Sequence, residues 1–242
     1  MKSAFPISIV IPVFNERDNL LPLISEIHQA LPADQLYEII VVDDGSTDGT
    51  RKLLSEQSRK QVELVGVYHR GNYGQSAALL SGIRQAQYPW IITLDGDGQN
   101  DPHDIPSLLT VLAQQDEPHH CALLGNRKKR DDRWLRRLSS RIGNGVRNAM
   151  LGDQCPDTGC SLKCFPRASF MHLPHFNHMH RFLPALLQRA GLTVINLPVN
   201  HRPRQFGQSK YGVMNRLWVG ITDILGVMWL QRRSCQPEVE HD

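Results

Sequence analysis

Apolar residues along the first hundred positions fall alternately into short β-branched runs and longer helical stripes. Ile7-Ser8-Ile9-Val10-Ile11-Pro12-Val13-Phe14 is too short and too rich in β-branched residues for a helix, and predicts a strand. Leu20, Leu23, Ile24, Ile27 and Leu31 then recur at helical spacing. A second strand is predicted over Tyr37–Val42, followed by a helix through Leu53 and Leu54, and a third strand over Val62–Tyr68. A helix from about Tyr73 to Gln87 leads to a fourth strand over Trp90–Leu94. This strand-helix repetition predicts an α/β fold, a Rossmann-like and mostly parallel sheet flanked by helices.

The strands run into polar, mostly acidic loops: Asn15-Glu16-Arg17-Asp18-Asn19, Asp43-Asp44-Gly45-Ser46-Thr47-Asp48-Gly49-Thr50 and Asp95-Gly96-Asp97. Right-handed crossovers place such loops side by side at the carboxyl edge of the sheet, where open α/β folds bind ligands. Asp95 and Asp97 offer hard oxygen ligands for a divalent cation held against a diphosphate, with Gly96 letting the backbone turn; the same tripeptide is also an ordinary turn. In the second loop Gly45 allows the turn and Ser46, Thr47 or Asp48 can cap the next helix. Two adjacent acids exceed what a cap needs, so Asp44 is a candidate acceptor for a nucleobase imide N–H, with Asp43 near the ribose.

Taken in order, these motifs carry a resemblance. Pro12-Val13-Phe14-Asn15-Glu16, the 43–50 run and Leu94-Asp95-Gly96-Asp97-Gly98-Gln99-Asn100-Asp101-Pro102 resemble three motifs of family 2 glycosyltransferases. The closest likeness is to the dolichol-phosphate mannosyltransferase-like and bacterial polyprenyl-phosphate glycosyltransferase branch. Gly125-Asn126-Arg127, Asp157-Thr158-Gly159-Cys160, His180-Arg181-Phe182-Leu183-Pro184 and Arg204-x-x-Gly207-x-Ser209-Lys210-Tyr211 extend the match over about residues 6–230. The resemblance implies a GT-A fold and inverting transfer of a sugar from a nucleotide diphosphate to a polyprenyl phosphate.

Composition narrows the setting. With 242 residues and 40% hydrophobic content, one domain is the economical expectation, its nucleotide-sugar half at about 6–125 and its acceptor half at about 126–232. No signal peptide is read at the N-terminus, and five Cys without small-domain spacing fit a reducing compartment. Cys155, Cys160 and Cys164, even with His172 or His175, lack the paired spacing of a zinc knuckle.

The net charge of +3 hides an asymmetry: residues 127–147 hold nine basic side chains, Arg133, Arg136 and Arg137 among them, against two acids. Trp134 or Leu135, Leu138, Ile142, Val146 and Met150 recur there at helical spacing, so a basic amphipathic helix is predicted. Where the resembling family places its acceptor elements, such a helix suits an anionic membrane surface rather than nucleic acid. Leu217–Leu230 is the most apolar stretch but is too short to span a bilayer and contains Asp223, so it packs on the core or lies at the interface as an amphipathic helix. The expected location is cytoplasmic, peripheral to the inner face of the cell membrane.

The resemblance assigns roles residue by residue. Asp95, Asp97 and Gln99 would hold Mg²⁺ or Mn²⁺; Pro12, Asn15, Glu16, Asp43, Asp44, Gly45, Ser46 and Gly74 would line the donor; Arg127, Arg204 and Lys210 would meet phosphates. Arg133, Arg137, His180, Arg181 and Ser209 would serve the acceptor. Asp157 stands where relatives acting on hydroxyl acceptors place a base, and it can instead order the acceptor site or orient Arg127 or His180. Two further readings stay open: a transferase to a polysaccharide or soluble hydroxyl acceptor with Asp157 as base, and a nucleotide-sugar-binding module without turnover. A dinucleotide-dependent dehydrogenase fits badly, because no Gly-x-Gly-x-x-Gly follows the first strand.

Overall fold

The computed structural model describes residues 5–127, 150–153, 155–204 and 215–233, and of 215–221 only the helical backbone. Seven strands form one sheet: β1 (Ile7–Val13), β2 (Tyr37–Asp43), β3 (Leu64–Tyr68), β4 (Trp90–Thr93), β5 (Cys121–Arg127), β6 (Lys163–Pro166) and β7 (Thr193–Val199). Their order is β3-β2-β1-β4-β6-β5-β7. The first four run parallel, β6 is inserted antiparallel between β4 and β5, and β7 runs parallel to β5.

Among the described residues the helices are α1 (Arg17–Ala30), α2 (Thr50–Ser58), α3 (Gln75–Gln85), α4 (Ile105–Ala113), α5 (Arg167–Met171), α6 (Leu183–Arg189) and α7 (Asn215–Arg232). The sheet's two faces carry separate cores, as period-two alternation requires when both sides are covered. Ile7, Ile9 and Ile11 pack with Leu20, Leu23, Ile24 and Ile27 of α1 and Leu108 and Leu112 of α4. Val10, Ile40 and Val42 pack with Ala78, Leu79 and Ile83 of α3, Leu186 of α6 and Val227 of α7. At Gly82 a Cβ would lie 2.5 Å from Val10 Cγ1 and 2.9 Å from Val42 Cγ2, so the missing side chain sets how closely α3 approaches the sheet. Ser8, fully buried in β1, donates to Glu38 Oε1 at 2.6 Å, and the same oxygen accepts the Gln87 N–H at 2.7 Å.

Strand register brings the polar ends together. Val13 pairs with Asp43, the Asp44 N–H donates to the Val13 carbonyl, and Leu94 N–H donates to Val10. The α3 helix begins at Gln75, two residues after its predicted start, with Gly74 as its N-cap at φ 91°. In the part of α7 whose side chains are described, Val227 is buried, whereas Leu225 and Trp229 are 54% and 60% exposed. Among the described residues, no helix is long and apolar enough to cross a membrane.

Candidate active site

The loops after β1 and β2 are joined by reciprocal hydrogen bonds. Asn15, at φ 55°, gives its N–H to Ser46 Oγ at 2.8 Å, and its Oδ1 accepts the Thr47 N–H at 2.7 Å. The N-cap of α2 is Gly49, at φ 95°, rather than any of the three candidates, and no side chain caps the helix; Asp48, just before it, accepts the Thr50 N–H at 2.9 Å through Oδ1 and the Arg17 N–H at 3.2 Å through Oδ2. Asp43 is fully buried; it accepts the Ser46 N–H at 3.0 Å and Arg51 Nε at 3.1 Å. Gly45, at φ 79°, lies against Gly71 in the loop after β3, and Pro12 is partly exposed near the end of β1.

Asp44 departs from the expectation of a carboxylate open to a nucleobase. It is 4% exposed, and its oxygens accept His69 Nδ1 at 2.7 Å and the N–H groups of Tyr73 and Gly74 at 2.9 and 2.7 Å. A buried carboxylate needs such donors, and here they fix the entry to α3. That entry reaches the acidic pair at once, because Gln75 Nε2 donates to Asp95 Oδ1 at 2.8 Å.

The turn after β4 is made differently from the prediction. The left-handed residue is Gly98, at φ 71°, whereas Gly96 is where the strand end closes on β1: a Cβ there would lie 2.5 Å from Val13 Cγ1. Burial, and then the neighbouring Asp97 charge, push the Asp95 carboxyl up to about 6, against the pull of Ser161, Lys163 and Arg127. Asp97 is 17% exposed and accepts the Gln99 N–H at 3.1 Å. The Gln99 side chain reaches the segment that follows β7, its Nε2 lying 3.4 Å from the Arg202 carbonyl.

Beneath this loop lies a polar network that sequence reasoning missed. Asn100 Oδ1 accepts Ser161 Oγ at 2.5 Å and the Asp95 N–H at 3.4 Å, and Asn100 Nδ2 approaches Cys160 Sγ at 3.9 Å. Lys163 is 4% exposed in β6, and its Nζ donates to the carbonyls of Thr158 and Cys160. Burial pulls its ammonium below the usual lysine range while Cys160 and Asp95 oppose the shift. The available signal was a lone lysine inside the apolar run Leu162–Phe165.

Arg127, at the end of β5, is committed to Asp157: Nε meets Oδ2 and Nη2 meets Oδ1, both at 2.6 Å, and the Arg127 N–H lies 3.3 Å from Oδ2. This geometry contains one of the roles open to Asp157, that of orienting Arg127. His180 Nδ1 is 2.8 Å from Ser76 Oγ; burial first, then the nearby cations Arg181 and Lys163, push its imidazole down to about 3, so it is neutral at pH 7. Arg181 follows it, partly exposed.

Residues 201–204 lie along the acidic loop. His201 forms an antiparallel bridge with Asn100, and Arg202 N–H donates to the Gln99 carbonyl. Both arginines are paired with acids: Arg202 Nη2 meets Glu26 at 2.6 Å, while Arg204 pairs with Glu16 and stands 3.9 Å from Asp97. Arg133, Arg137 and the rest of the basic segment from 128, with Ser209 and Lys210, lie outside the described residues. Cys155, Cys160 and Cys164 are buried thiols, and burial raises Cys164 to about 12. Among the described residues, no group of three or more His, Cys, Asp or Glu forms a metal site. A cation at Asp95 and Asp97 therefore needs further oxygens, which a diphosphate and water can supply.

The glycosyl transferase family 2 model matches residues 8–173. Dodecaprenyl-phosphate galacturonate synthase of Rhizobium johnstonii is 36% identical, over 96% of this chain and 69% of its own length. Undecaprenyl-phosphate 4-deoxy-4-formamido-L-arabinose transferase of Edwardsiella ictaluri is 35% identical, over 86% of this chain and 63% of its own length. The chain thus spans about two thirds of these relatives. A mannosyltransferase from Pyrobaculum calidifontis, solved with GDP-Man and Mn²⁺, superposes with TM-score 0.63 at 17% identity, covering 98% of this chain and 67% of that one. Glucosyl-3-phosphoglycerate synthase from Mycobacterium tuberculosis, solved with Mg²⁺ and UDP, gives 0.65 at 16%, covering 95% and 80%. These two likenesses concern the fold, which is GT-A. The motif order, the family match and the relatives agree: the chain belongs to glycosyl transferase family 2.

Proposed function

We propose that the protein is an inverting enzyme that moves a sugar from a nucleotide diphosphate to a polyprenyl phosphate, at the inner face of the cell membrane and peripheral to it. The observation that carries this reading is the Arg127–Asp157 fork beside the acidic loop, together with relatives named for polyprenyl-phosphate transfer. A phosphate monoester is largely ionised at neutral pH, its second pKa being about 6, so its oxygen attacks without a base. An aspartate that orients an arginine suits that chemistry; a hydroxyl acceptor would need Asp157 to take up a proton while it is held by a guanidinium.

Asp95 and Asp97 would hold Mg²⁺ or Mn²⁺, with Gln99 beside them. They fit such an ion, since two crowded carboxylates, one pushed up by burial and by its neighbour, gain from a cation between them. When bound, the ion supplies Lewis-acid stabilisation of the leaving diphosphate. Pro12, Asn15, Glu16, Asp43, Gly45, Ser46 and Gly74 shape the donor side, with Asp44 acting through the backbone it orders. Arg204 and Lys210 would meet phosphate charge, and Arg127 would offer what its fork leaves available. Arg133, Arg137, His180, Arg181 and Ser209 serve the acceptor side, His180 as a neutral hydrogen-bonding group. Exposed Leu225 and Trp229, followed by exposed Arg232 and Arg233, suit contact with an anionic lipid surface.

The test is release of nucleoside diphosphate from a panel of nucleotide sugars, with Mg²⁺ or Mn²⁺, in the presence of a short polyprenyl phosphate or of the matching polyprenol. Turnover with the phosphate alone supports the reading. Equal turnover with the alcohol favours a hydroxyl acceptor, and no turnover with any donor favours a binding module.

A further inference from the structure

We propose that Arg204 and the divalent cation compete for Asp97, and that Glu16 is a positioning residue that draws the guanidinium away from the metal position. The inference rests on the proposed metal role of Asp95 and Asp97. Arg204 bridges two loops that carry different parts of the site: its Nη2 is paired with Glu16 Oε1 after β1, and its Nη1 stands 3.9 Å from Asp97 Oδ2 after β4. All three side chains are largely screened from solvent, at 21%, 11% and 17% exposure for Arg204, Glu16 and Asp97. Coulomb interactions are therefore stronger here than at an open surface.

Glu16 is held independently of Arg204. Its N–H donates to Thr50 Oγ1 at 3.1 Å, and its Oε2 accepts Asn19 Nδ2 at 2.7 Å. The backbone leading to Arg204 is also fixed, through the Asn100–His201 bridge and the Arg202–Glu26 pair. Exchange thus needs only the Arg204 side chain to move. A guanidinium 3.9 Å from Asp97 already partly neutralises that carboxylate, and a metal ion placed there would repel it. Binding of the ion would then release Arg204 from Asp97, toward phosphate oxygens that its donors match. Linkage makes the effect reciprocal, so an arginine near Asp97 weakens the metal.

The experiment is a titration of the full chain with Mn²⁺ alone, free ion being followed by electron paramagnetic resonance. Arg204→Met should tighten Mn²⁺ binding by about fivefold or more, the lower end of usual coupling between sites. Arg204→Lys, which keeps the charge, should stay near the parent and serves as a control for altered packing. Glu16→Gln should weaken binding severalfold in the parent and do nothing in the Arg204→Met background, a non-additivity expected of contacting residues. Unchanged or weaker binding in Arg204→Met overturns the competition. A Glu16→Gln loss that persists without Arg204 is a through-space charge effect and overturns the positioning role. If the parent takes up no Mn²⁺ at pH 7 either alone or with a nucleoside diphosphate added, the metal reading itself fails.

Discussion

Asp157 receives the Arg127 guanidinium side-on, with two contacts of 2.6 Å between groups that are 6% and 12% exposed. Breaking a buried pair from one side leaves a charge without its partner, which costs about 3–5 kcal/mol. Asp157→Ala should lower stability by about that amount, measured by urea unfolding. Asp157→Asn keeps the shape and should reduce kcat/KM for a phosphate acceptor without removing an acid limb from its pH profile. A lost limb would identify Asp157 as a base.

Asp97→Ala should abolish metal-dependent donor binding while leaving the fold intact, since the side chain is partly exposed and its contacts are the Gln99 N–H and the long approach of Arg204. Loss of one carboxylate from a two-carboxylate site is expected to weaken Mn²⁺ by about tenfold or more. Calorimetric titration with Mn²⁺, and circular dichroism on the same sample, check the two halves of this statement.

His180 sets a pH dependence of stability. Its folded value of about 3 lies below the ordinary 6.5, so the unfolded chain binds the proton more readily. The His180 contribution is therefore fully present above about pH 6.5 and is lost as pH falls toward 3, by about 2 kcal/mol at pH 5. Unfolding free energies at pH 7 and pH 5 for the parent and His180→Gln should show a smaller difference in the variant. An equal difference would remove His180 as the cause.

Gly82→Ala would place a methyl group against Val10 and Val42 in the α3 contact with the sheet. Overpacking of this kind costs about 1–3 kcal/mol, partly offset by the roughly 1 kcal/mol gained in helix propensity. A lowered Tm is expected, by roughly 2–4 °C for each kcal/mol at this chain length. Differential scanning calorimetry decides it, and a raised Tm would mean that α3 can withdraw without loss.

Leu225 and Trp229 carry the membrane reading among the described residues. Replacing both with Ser should reduce sedimentation with anionic vesicles, and raising the salt should reduce it for the parent, because exposed charges are screened over about 8 Å at physiological ionic strength. Nucleotide-sugar affinity should stay near the parent's. Vesicle binding unaffected by the double substitution would assign these side chains another partner.

Local pattern determined much of this protein. Short β-branched apolar runs at 7–13, 37–43 and 90–93 and the helical stripe at Leu20–Ile27 specified strands and helices, because each is a pattern of a few neighbouring residues. The acidic loops were legible for the same reason: they punctuate those runs, and parallel register brings them to one edge. What the charged groups do there was decided only in three dimensions. Arg127 finds Asp157 thirty residues away, and Arg204 finds Glu16 across 188. Asp44 turns inward to the α3 entry, and Lys163 is buried beneath the acidic loop by the strand inserted between β4 and β5. A carboxylate's partners depend on which distant segments the crossovers bring within hydrogen-bond reach, and no periodicity along the chain encodes that distance.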